Sequence, residues 1–296
     1  MYDRRVSAAP PDDQFAAAVE RAVLRQLEAD ELELPSLPLA AVRTFALLAD
    51  PDYQAADVAR LIESDPLLAA RLLRLVNSAA FAGRQPTTGI RDCVTRLGAL
   101  QLRRFLVEMS AQQVIESRDP RIAEFCRGLW QHSLGVALMA REIARGAAPA
   151  QAETAYLAGL LHDVGKPLLA ALLVSAERRL LGSRTAIWIP APQWLRFVVE
   201  KHRPVGLALV GKWGLPETVR RSIADSVEYD VQDPRSMSNA VRLANALAKL
   251  NGLYVGETDP EEAQSQRFVG QQLFGLDEAA TDHLASEARA EIERRA

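Results

Sequence analysis

Cysteine and surplus basic charge are both scarce in this sequence of 296 residues, and each absence excludes a class of protein. The two cysteines, Cys93 and Cys126, form no CxxC pair, so the chain has no disulfide framework and no thiolate zinc site. We interpret both as buried thiols in a reducing compartment. The net charge is −3, and we expect no nucleic acid partner, because proteins that bind nucleic acid phosphates usually carry a basic excess.

Apolar runs of membrane-spanning length are the second absence. No run approaches the roughly 20 apolar residues that cross a bilayer. The start of the chain, MYDRRVSAAPPDDQF, lacks the apolar core of a signal peptide. The sequence therefore predicts a cytoplasmic protein that does not associate with membranes.

Helical periodicity dominates what is present. Alanine, leucine, arginine and glutamate recur with the spacing of amphipathic helices, β-branched alternation is scarce, and proline or glycine marks the breaks. We predict an all-α fold, a compact multi-helix structure in two packed helical subdomains. The predicted segments are an N-terminal amphipathic helix extension at 1–30, a first helical subdomain at 31–110, a second at 111–255, and a polar C-terminal tail with one helix at 256–296.

The first subdomain contains a clear helix start and a polar helix end. In SDPLLAARLLRLVNSAAF, Asp65 is a natural N-cap and Pro66 fits the first helical position. Asn77 and Ser78 follow the last turn of this helix. Two interpretations stay open for them: a small pocket or interhelical contact in which Asn77 binds exposed backbone, or a helix C-terminus capped by polar side chains.

Histidines and one aspartate are the candidates for chemistry in the second subdomain. His132 lies on the apolar face of a predicted helix, the pair His162–Asp163 interrupts an apolar stretch, and His202 lies on a later helix. Neutral imidazoles and a carboxylate are ligands that a divalent transition metal prefers, and facing helices can bring them together. The alternative is that these are hydrogen-bonded core residues, with Asp163 capping a turn or binding His132.

The residues after the pair bear on whether it can bind one ion. Adjacent ligands converge only where a helix end is distorted, and Gly165 with Pro167 predicts a break at that point. Lys166 lies between them. Beside a metal it would stabilise phosphate charge or orient a water, and in the alternative it merely lies at a helix end.

The spacing of His132, His162 and Asp163, with LLHDVGK around the pair, resembles the HD superfamily of metal-dependent phosphohydrolases. Five ordered segments look like one branch, the HDOD domain, an output domain of bacterial signalling proteins. They are LPSLP (34–38), SDPLLAARLLRLVNSAAF (64–81), GIRDCVTRLGALQLRRFLV (89–107), LAGLLHDVGK (157–166) and EKHRPVGLALVGKWGLPETV (200–219). The likeness covers residues 31–250 and implies an HD-like helical fold with a regulatory, non-catalytic role.

The resemblance also implies roles for individual residues. His132 matches the first ligand of the HD pattern, and His162–Asp163 matches its central pair. His202 matches a histidine that supplies a further ligand in the two-metal HD-GYP phosphodiesterases, and Lys166 matches the lysine that follows the central pair.

Departures from the pattern put catalysis in doubt. In RLANALAKL, Asn245 lies where the final aspartate belongs, and its neutral carbonyl is a weaker ligand than a carboxylate. The later histidine pair and GYP segment of the HD-GYP enzymes are absent, so a binuclear centre lacks ligands. We expect no cofactor, with a single Fe, Mn or Zn ion at His132, His162 and Asp163 as the alternative.

The expected function is therefore that of a stand-alone HDOD domain, a bacterial signal-transduction adaptor that binds proteins and is not an enzyme. The partners would be signalling proteins such as cyclic-dinucleotide enzymes or kinases, and the N-terminal helix offers a surface for a partner or for a homodimer. Two alternatives stay open. One is a metal-dependent phosphohydrolase or phosphodiesterase with a reduced site, and the other is a nucleotide or anion sensor that uses the ancestral pocket.

Overall fold

The computed structural model describes residues 13–29, 33–78, 81, 86–181, 189 and 191–295. Within these ranges the chain forms thirteen α-helices and one short 3₁₀ turn at Pro149–Gln151, without a strand, which confirms the all-α prediction. The helices are α1 (Asp13–Glu28), α2 (Leu39–Leu47), α3 (Ala55–Glu63), α4 (Pro66–Val76), α5 (Ile90–Ile115), α6 (Ala123–Ala147), α7 (Ala152–Leu161), α8 (Gly165–Leu181), α9 (Ala191–Lys212), α10 (Glu217–Ala224), α11 (Met237–Leu250), α12 (Pro260–Phe274) and α13 (Glu278–Arg295).

The chain divides into two compact units, Ser36–Gln113 and the remainder, Met1–Pro35 with Val114–Ala296. We call them the smaller and the larger unit. The smaller unit contains α2 to α4 and most of α5, which pack around a core of buried aliphatic side chains. Its long helix α5 is kinked at Gly98, where φ is 70°, a backbone conformation that glycine adopts without strain.

Polar side chains fix both ends of α4 in the smaller unit. Asp65 caps its start as predicted, accepting hydrogen bonds from the backbone N–H groups of Leu67 and Leu68, both at 3.1 Å, and Pro66 is the first helical residue. At its end, Ser78 Oγ donates to the Leu75 carbonyl at 2.7 Å. The side chain of Asn77, by contrast, forms its hydrogen bonds outside this helix.

The Asn77 amide binds the backbone of a single residue that precedes α5. Its Nδ2 donates to the Thr87 carbonyl and its Oδ1 accepts from the Thr87 N–H, both at 2.8 Å. This pair of bonds joins the end of α4 to the chain just before α5, whereas Ser78 performs the ordinary capping. Both interpretations of this segment therefore describe a part of what is seen.

The larger unit is built around α6. Every residue of α6 from His132 to Ala140 is buried, because α7, α11 and α13 all pack against this helix. Helix α8 packs against α9 and α1, and α12 packs against α11. The side chains of Cys93, in the smaller unit, and Cys126, in α6, are both buried free thiols.

One helical stretch is long and apolar enough to meet a hydropathy test for a membrane span. The stretch is Pro149–Leu180, with a mean hydropathy of 1.5, and 72% of its apolar window is buried inside the protein. The prediction that no run approaches this length was wrong. The stretch comprises the 3₁₀ turn, α7, most of α8 and the turn between these two helices. Its burial against other helices accounts for its apolar character.

The C-terminal segment contains two helices rather than a polar tail with one. Asp259 caps α12 by accepting from the N–H groups of Glu261 and Glu262, Pro260 is its first residue, and Gly275 ends it with φ 67°. The buried faces of α12 and α13 consist mostly of small residues, such as Ala263, Gly270, Ala285 and Ala288. A face built from alanine and glycine gives a weak hydrophobic pattern, which is why the sequence did not reveal α12.

Candidate metal centre

The pair His162–Asp163 lies in the turn between α7, which ends at Leu161, and α8, which begins at Gly165. The predicted break therefore exists but falls earlier than Gly165–Pro167. Pro167 lies in the first turn of α8, where its missing N–H removes no helical hydrogen bond. His162 keeps helical backbone angles (φ −58°, ψ −30°), but the regular helical hydrogen bonding ends at this pair, where the Val164 N–H donates to the Leu161 carbonyl three residues earlier.

Two glycines let the neighbouring helices approach this turn. A Cβ atom at Gly159 would lie 2.9 Å from the Cα of Ala137 in α6, the helix that carries His132. A Cβ atom at Gly165 would overlap the carbonyl oxygen of His202 in α9. Residues without a side chain are therefore needed at both positions to bring the three histidines to one aspartate.

Each of the three histidines has its Nδ1 against a backbone carbonyl. His132 Nδ1 donates to the Leu253 carbonyl at 2.6 Å, His162 Nδ1 to the Gly159 carbonyl at 2.7 Å, and His202 Nδ1 to the Val199 carbonyl at 2.8 Å. A carbonyl oxygen only accepts, so Nδ1 carries the proton and Nε2 of the neutral ring presents a lone pair. Metal-binding histidines are oriented in this way.

The three Nε2 atoms surround the Asp163 carboxylate. Those of His132 and His162 lie 3.3 Å apart, and 3.4 and 3.3 Å from Asp163 Oδ2. His202 Nε2 lies 3.1 Å from the other oxygen, Oδ1, but is not directed as a hydrogen bond, so this buried nitrogen has no hydrogen-bond partner among the described residues. All four side chains are buried.

Electron-rich atoms that face one another in a dry interior call for a cation between them. Burial lowers the pKa of His132 to about 4, against the opposing effect of Asp163, so its ring is neutral near pH 7. Burial acts to raise the pKa of Asp163, but the neighbouring His162 ring and Lys166 ammonium hold it well below its usual range. Asp163 is therefore ionised.

The ligand atoms of His132, His162 and Asp163 all lie within 4.8 Å of one another, and this trio fits one divalent ion. Two imidazole lone pairs and a carboxylate are a suitable donor set for Fe, Mn or Zn. His202, which the sequence grouped with them, faces the opposite oxygen of Asp163 and is outside the trio.

A lysine already supplies positive charge at this point. Lys166 is 5% exposed, and its Nζ donates to Asp163 Oδ2 at 2.5 Å, the same oxygen that faces His132 and His162. Its ammonium also lies 5.2 Å from the centre of the Tyr254 ring, and the ammonium of Lys249 lies 5.4 Å from that centre. Burial, and next the charge of Lys166, lower the pKa of Lys249.

Asn245 lies on α11, which packs against both α6 and α7. Its Oδ1 is shielded from solvent and has no hydrogen-bond partner in the part of the chain that the structure describes. Within the described ranges, buried polar atoms without a hydrogen-bond partner also include His202 Nε2 in α9, Ser133 Oγ in α6 and Arg242 Nε in α11. The role of Asn245 as a weak ligand stays a prediction.

Sequence reasoning missed the residues that support the trio from α11 onward. The Leu253 carbonyl orients His132, and the Tyr254 ring meets the His132 ring edge-on at a centroid distance of 5.1 Å. Both follow Asn251–Gly252, which the sequence marked only as a helix end. The single available signal was an aromatic residue directly after that stop.

Comparison with known proteins identifies the family. The sequence model of the HDOD domain matches residues 34–229, more than half of the chain. The chain belongs to the HDOD domain family. This confirms the resemblance found in the sequence, and the match includes His132, His162, Asp163 and His202, whereas α11 to α13 lie beyond it.

A relative of this HDOD protein matches part of its own sequence to this chain. An uncharacterized protein of Treponema pallidum (strain Nichols) is 27% identical over 218 residues, which is 72% of this chain and 42% of that protein. This chain therefore spans less than half the length of that relative. Since the alignment covers so little of the relative, it assigns no activity.

Three solved structures share the fold at 23% identity. A proposed metal-dependent phosphohydrolase of Shewanella amazonensis SB2B has a TM-score of 0.64 and aligns over 93% of this chain and 99% of its own. An HDOD domain protein of Geobacter sulfurreducens has a TM-score of 0.60 over 96% of each chain. A proposed signal transduction protein of Marinobacter aquaeolei VT8 has a TM-score of 0.58 over 94% of this chain and 64% of its own.

Proposed function

We propose that this HDOD protein is a regulatory module of bacterial signal transduction that acts by binding partner proteins rather than by catalysis. The observation that carries the proposal is the buried ion pair between Lys166 and Asp163, at 2.5 Å. The one carboxylate of the trio is already neutralised by the protein itself. The likeness of the fold to a proposed signal transduction protein agrees with this role.

The chemistry of the remaining donors also argues against hydrolysis. Metal-dependent hydrolysis needs an ion that binds a water and is held by ligands that compensate its charge. Two imidazoles and one carboxylate can hold a catalytic ion in other folds, but here Asn245 stands where the resemblance places a second carboxylate, so the ligand set of the HD pattern is incomplete. Helix packing and partner binding need neither the ion nor that carboxylate.

The proposed partners are cytoplasmic signalling proteins, such as cyclic-dinucleotide enzymes or kinases, or a second copy of this chain. A net charge of −3 favours neither nucleic acid nor an anionic membrane surface as a partner. Size-exclusion chromatography with light scattering tests the homodimer directly, since its mass would be twice the 32.4 kDa of the chain.

The test of the proposal removes the metal ligand without leaving a buried charge. In the double variant Asp163→Asn, Lys166→Met, the carboxylate and its counter-ion are lost together, so the fold should persist. We expect this variant, when expressed in a deletion strain, to restore the wild-type phenotype. It should also give the same cross-linked partners in cells as the wild type. A folded double variant that behaves like the deletion would contradict the proposal.

A second candidate function is a metal-dependent phosphohydrolase with a reduced site, and the trio of His132, His162 and Asp163 is the observation that favours it. These three residues would hold the ion, which when bound would polarise a phosphate ester or activate a water. Lys166, released from Asp163, would stabilise phosphate charge. The anion-sensor alternative would use the same ammonium groups without turnover.

Metal content separates the candidates. Tag-free protein purified from medium supplemented with Fe, Mn and Zn is analysed by inductively coupled plasma mass spectrometry beside the variant His162→Ala, Asp163→Ala. About one equivalent of metal that is lost in the variant, together with metal-dependent cleavage of bis-p-nitrophenyl phosphate, would favour the enzyme. Binding of inorganic phosphate without cleavage would favour the sensor. If neither metal nor phosphate binds, the result favours the adaptor.

A further inference from the structure

We infer that Lys166 is a displaceable internal cation, whose ammonium takes the place of a divalent ion at Asp163 and competes with that ion for the carboxylate. The inference rests on the metal site of the second candidate function and is independent of the adaptor role. If the inference holds, the affinity of this chain for metal depends on Lys166 as much as on the metal ligands.

The contacts of Asp163 Oδ2 are the first support. This single oxygen lies 2.5 Å from Lys166 Nζ, 3.3 Å from His162 Nε2 and 3.4 Å from His132 Nε2. This oxygen faces both imidazoles, so an ion bound by the trio would share it with Lys166. Since both cations would draw on one carboxylate charge, binding of one weakens binding of the other.

The location of Lys166 is the second support. It is the second residue of α8, and the positive end of the helix dipole makes the first turn an unfavourable place for a cation. Burying an ammonium is also costly unless it is paired. Asp163 is the carboxylate that Lys166 binds, at three residues' distance in the chain. The pairing therefore explains why a lysine is tolerated in this buried first turn.

The Tyr254 ring gives the ammonium a second contact, at 5.2 Å from the ring centre. The same ring is approached by the Lys249 ammonium, at 5.4 Å. If an ion took Asp163, Lys166 would keep the ring but lose its counter-ion beside a second ammonium. Displacement therefore has a cost in like-charge repulsion, and the wild type should bind metal weakly.

The experiment compares two lysines at the same ring. Lys166→Met removes the ammonium that binds Asp163. Lys249→Met, the matched control, removes an ammonium that approaches the same ring but makes no hydrogen bond to Asp163 among the described residues. Mn²⁺ affinity is measured by isothermal titration calorimetry, with competition against a chelator. We expect Lys166→Met to bind Mn²⁺ at least about tenfold more tightly than the wild type, and Lys249→Met to change affinity less than about threefold.

A stability readout guards against loss of the fold, because Lys166→Met leaves Asp163 buried without its partner. Lys166→Gln keeps an N–H donor for Asp163 and is measured in parallel. Added Mn²⁺ should raise the melting temperature of both variants more than that of the wild type, and should refold a variant that is unfolded without it.

Three outcomes would overturn the inference. They are equal affinity of the wild type and both Lys166 variants, an equal gain in the Lys249 control, and no Mn²⁺ binding or refolding in either Lys166 variant. The last result would also remove the phosphohydrolase candidate, but it would leave the adaptor function intact, because the complementation test of that function requires no metal.

Discussion

At the ends of α4 in the smaller unit, polar side chains bind backbone groups, whereas around the α7–α8 turn of the larger unit four polar side chains are buried against one another. Asp65, Asn77 and Ser78 each bind backbone groups, and those bonds fully explain why the residues are there. His132, His162, His202 and Asp163 turn lone pairs and a carboxylate toward one point. Folding alone has no need for such a set, since an apolar core of similar volume would be at least as stable.

The comparison shows where function is to be sought. In the smaller unit the polar side chains form hydrogen bonds to backbone groups. Their removal should lower the free energy of unfolding by about as much as the loss of a helix cap. In the larger unit they depend on one another, so removing one member should affect the rest.

Removal of Asp163 should have the largest effect. Asp163→Ala leaves the Lys166 ammonium buried and unpaired, and we expect a loss of about 3–5 kcal/mol in the free energy of unfolding. Urea denaturation followed by circular dichroism measures it. The double variant Asp163→Asn, Lys166→Met should lie within about 1 kcal/mol of the wild type. Equal losses in both variants would show that the two charges are not coupled.

A side chain at Gly165 should separate α8 from α9. The Cβ atom of Gly165→Ala would overlap the His202 carbonyl, and we expect a loss of about 1–3 kcal/mol in unfolding free energy. Gly211→Ala in α9 is the control, because a Cβ atom there meets nothing within 4 Å. That control should be neutral or stabilise by up to about 1 kcal/mol. Similar values for the two variants would refute the close approach of the helices.

Loss of the His162 ring should break the buried network. His162→Ala leaves the Gly159 carbonyl without its donor, and we expect a loss of more than about 1 kcal/mol. The melting temperature should fall accordingly. His283→Ala, at an exposed position of α13, serves as the control and should melt like the wild type. An unchanged melting temperature in His162→Ala would contradict the prediction.

Loss of a cap should cost the same in either unit. Asp65→Ala removes two hydrogen bonds to the first turn of α4, and Asp259→Ala removes the equivalent pair in α12. Each should destabilise by about 1 kcal/mol, measured by urea denaturation. A much larger loss for Asp65 would mean that this residue does more than cap a helix.

The smallest effect should be a pH dependence at Asp119. A hydrogen bond from Arg121 lowers the pKa of this carboxyl, with a contribution from the nearby Arg178. The ion pairs therefore stabilise the fold above the unfolded-state pKa of 3.8, and that stabilisation is lost as the pH falls through the lower folded-state value. Solvent screening keeps it below about 1 kcal/mol.

The measurement for Asp119 compares urea denaturation of the wild type and Asp119→Asn between pH 3 and 7. The difference in unfolding free energy should be constant at the upper end of that range and shrink toward pH 3. If the difference in unfolding free energy instead grew on acidification, the pKa of Asp119 would not be lowered in the folded protein.

Helix-start residues followed by a strong hydrophobic pattern predicted helices correctly. Where the hydrophobic pattern was weak, a helix was missed. The pair Asp65–Pro66 predicted the start of α4, and the same pair recurs as Asp259–Pro260 at the start of α12. Only the first pair was interpreted as a helix start, because strongly apolar residues follow it, whereas the buried residues of α12 are Ala263, Arg267 and Gly270. The close packing of α12 against α11 explains the glycine at position 270, because an added Cβ atom there would lie 2.7 Å from Leu243 Cδ1.

The all-α class, the family, the cap of α4 and the residue types of the candidate centre could all be predicted from the sequence. Those depend on spacing and on neighbours in the chain. Tertiary structure alone decided that His202 faces the opposite oxygen from His132, that Lys166 binds Asp163, and that the Leu253 carbonyl orients His132 from 121 positions away. Such contacts arise from the packing of helices distant in sequence, and their distances follow from the glycines that let those helices meet.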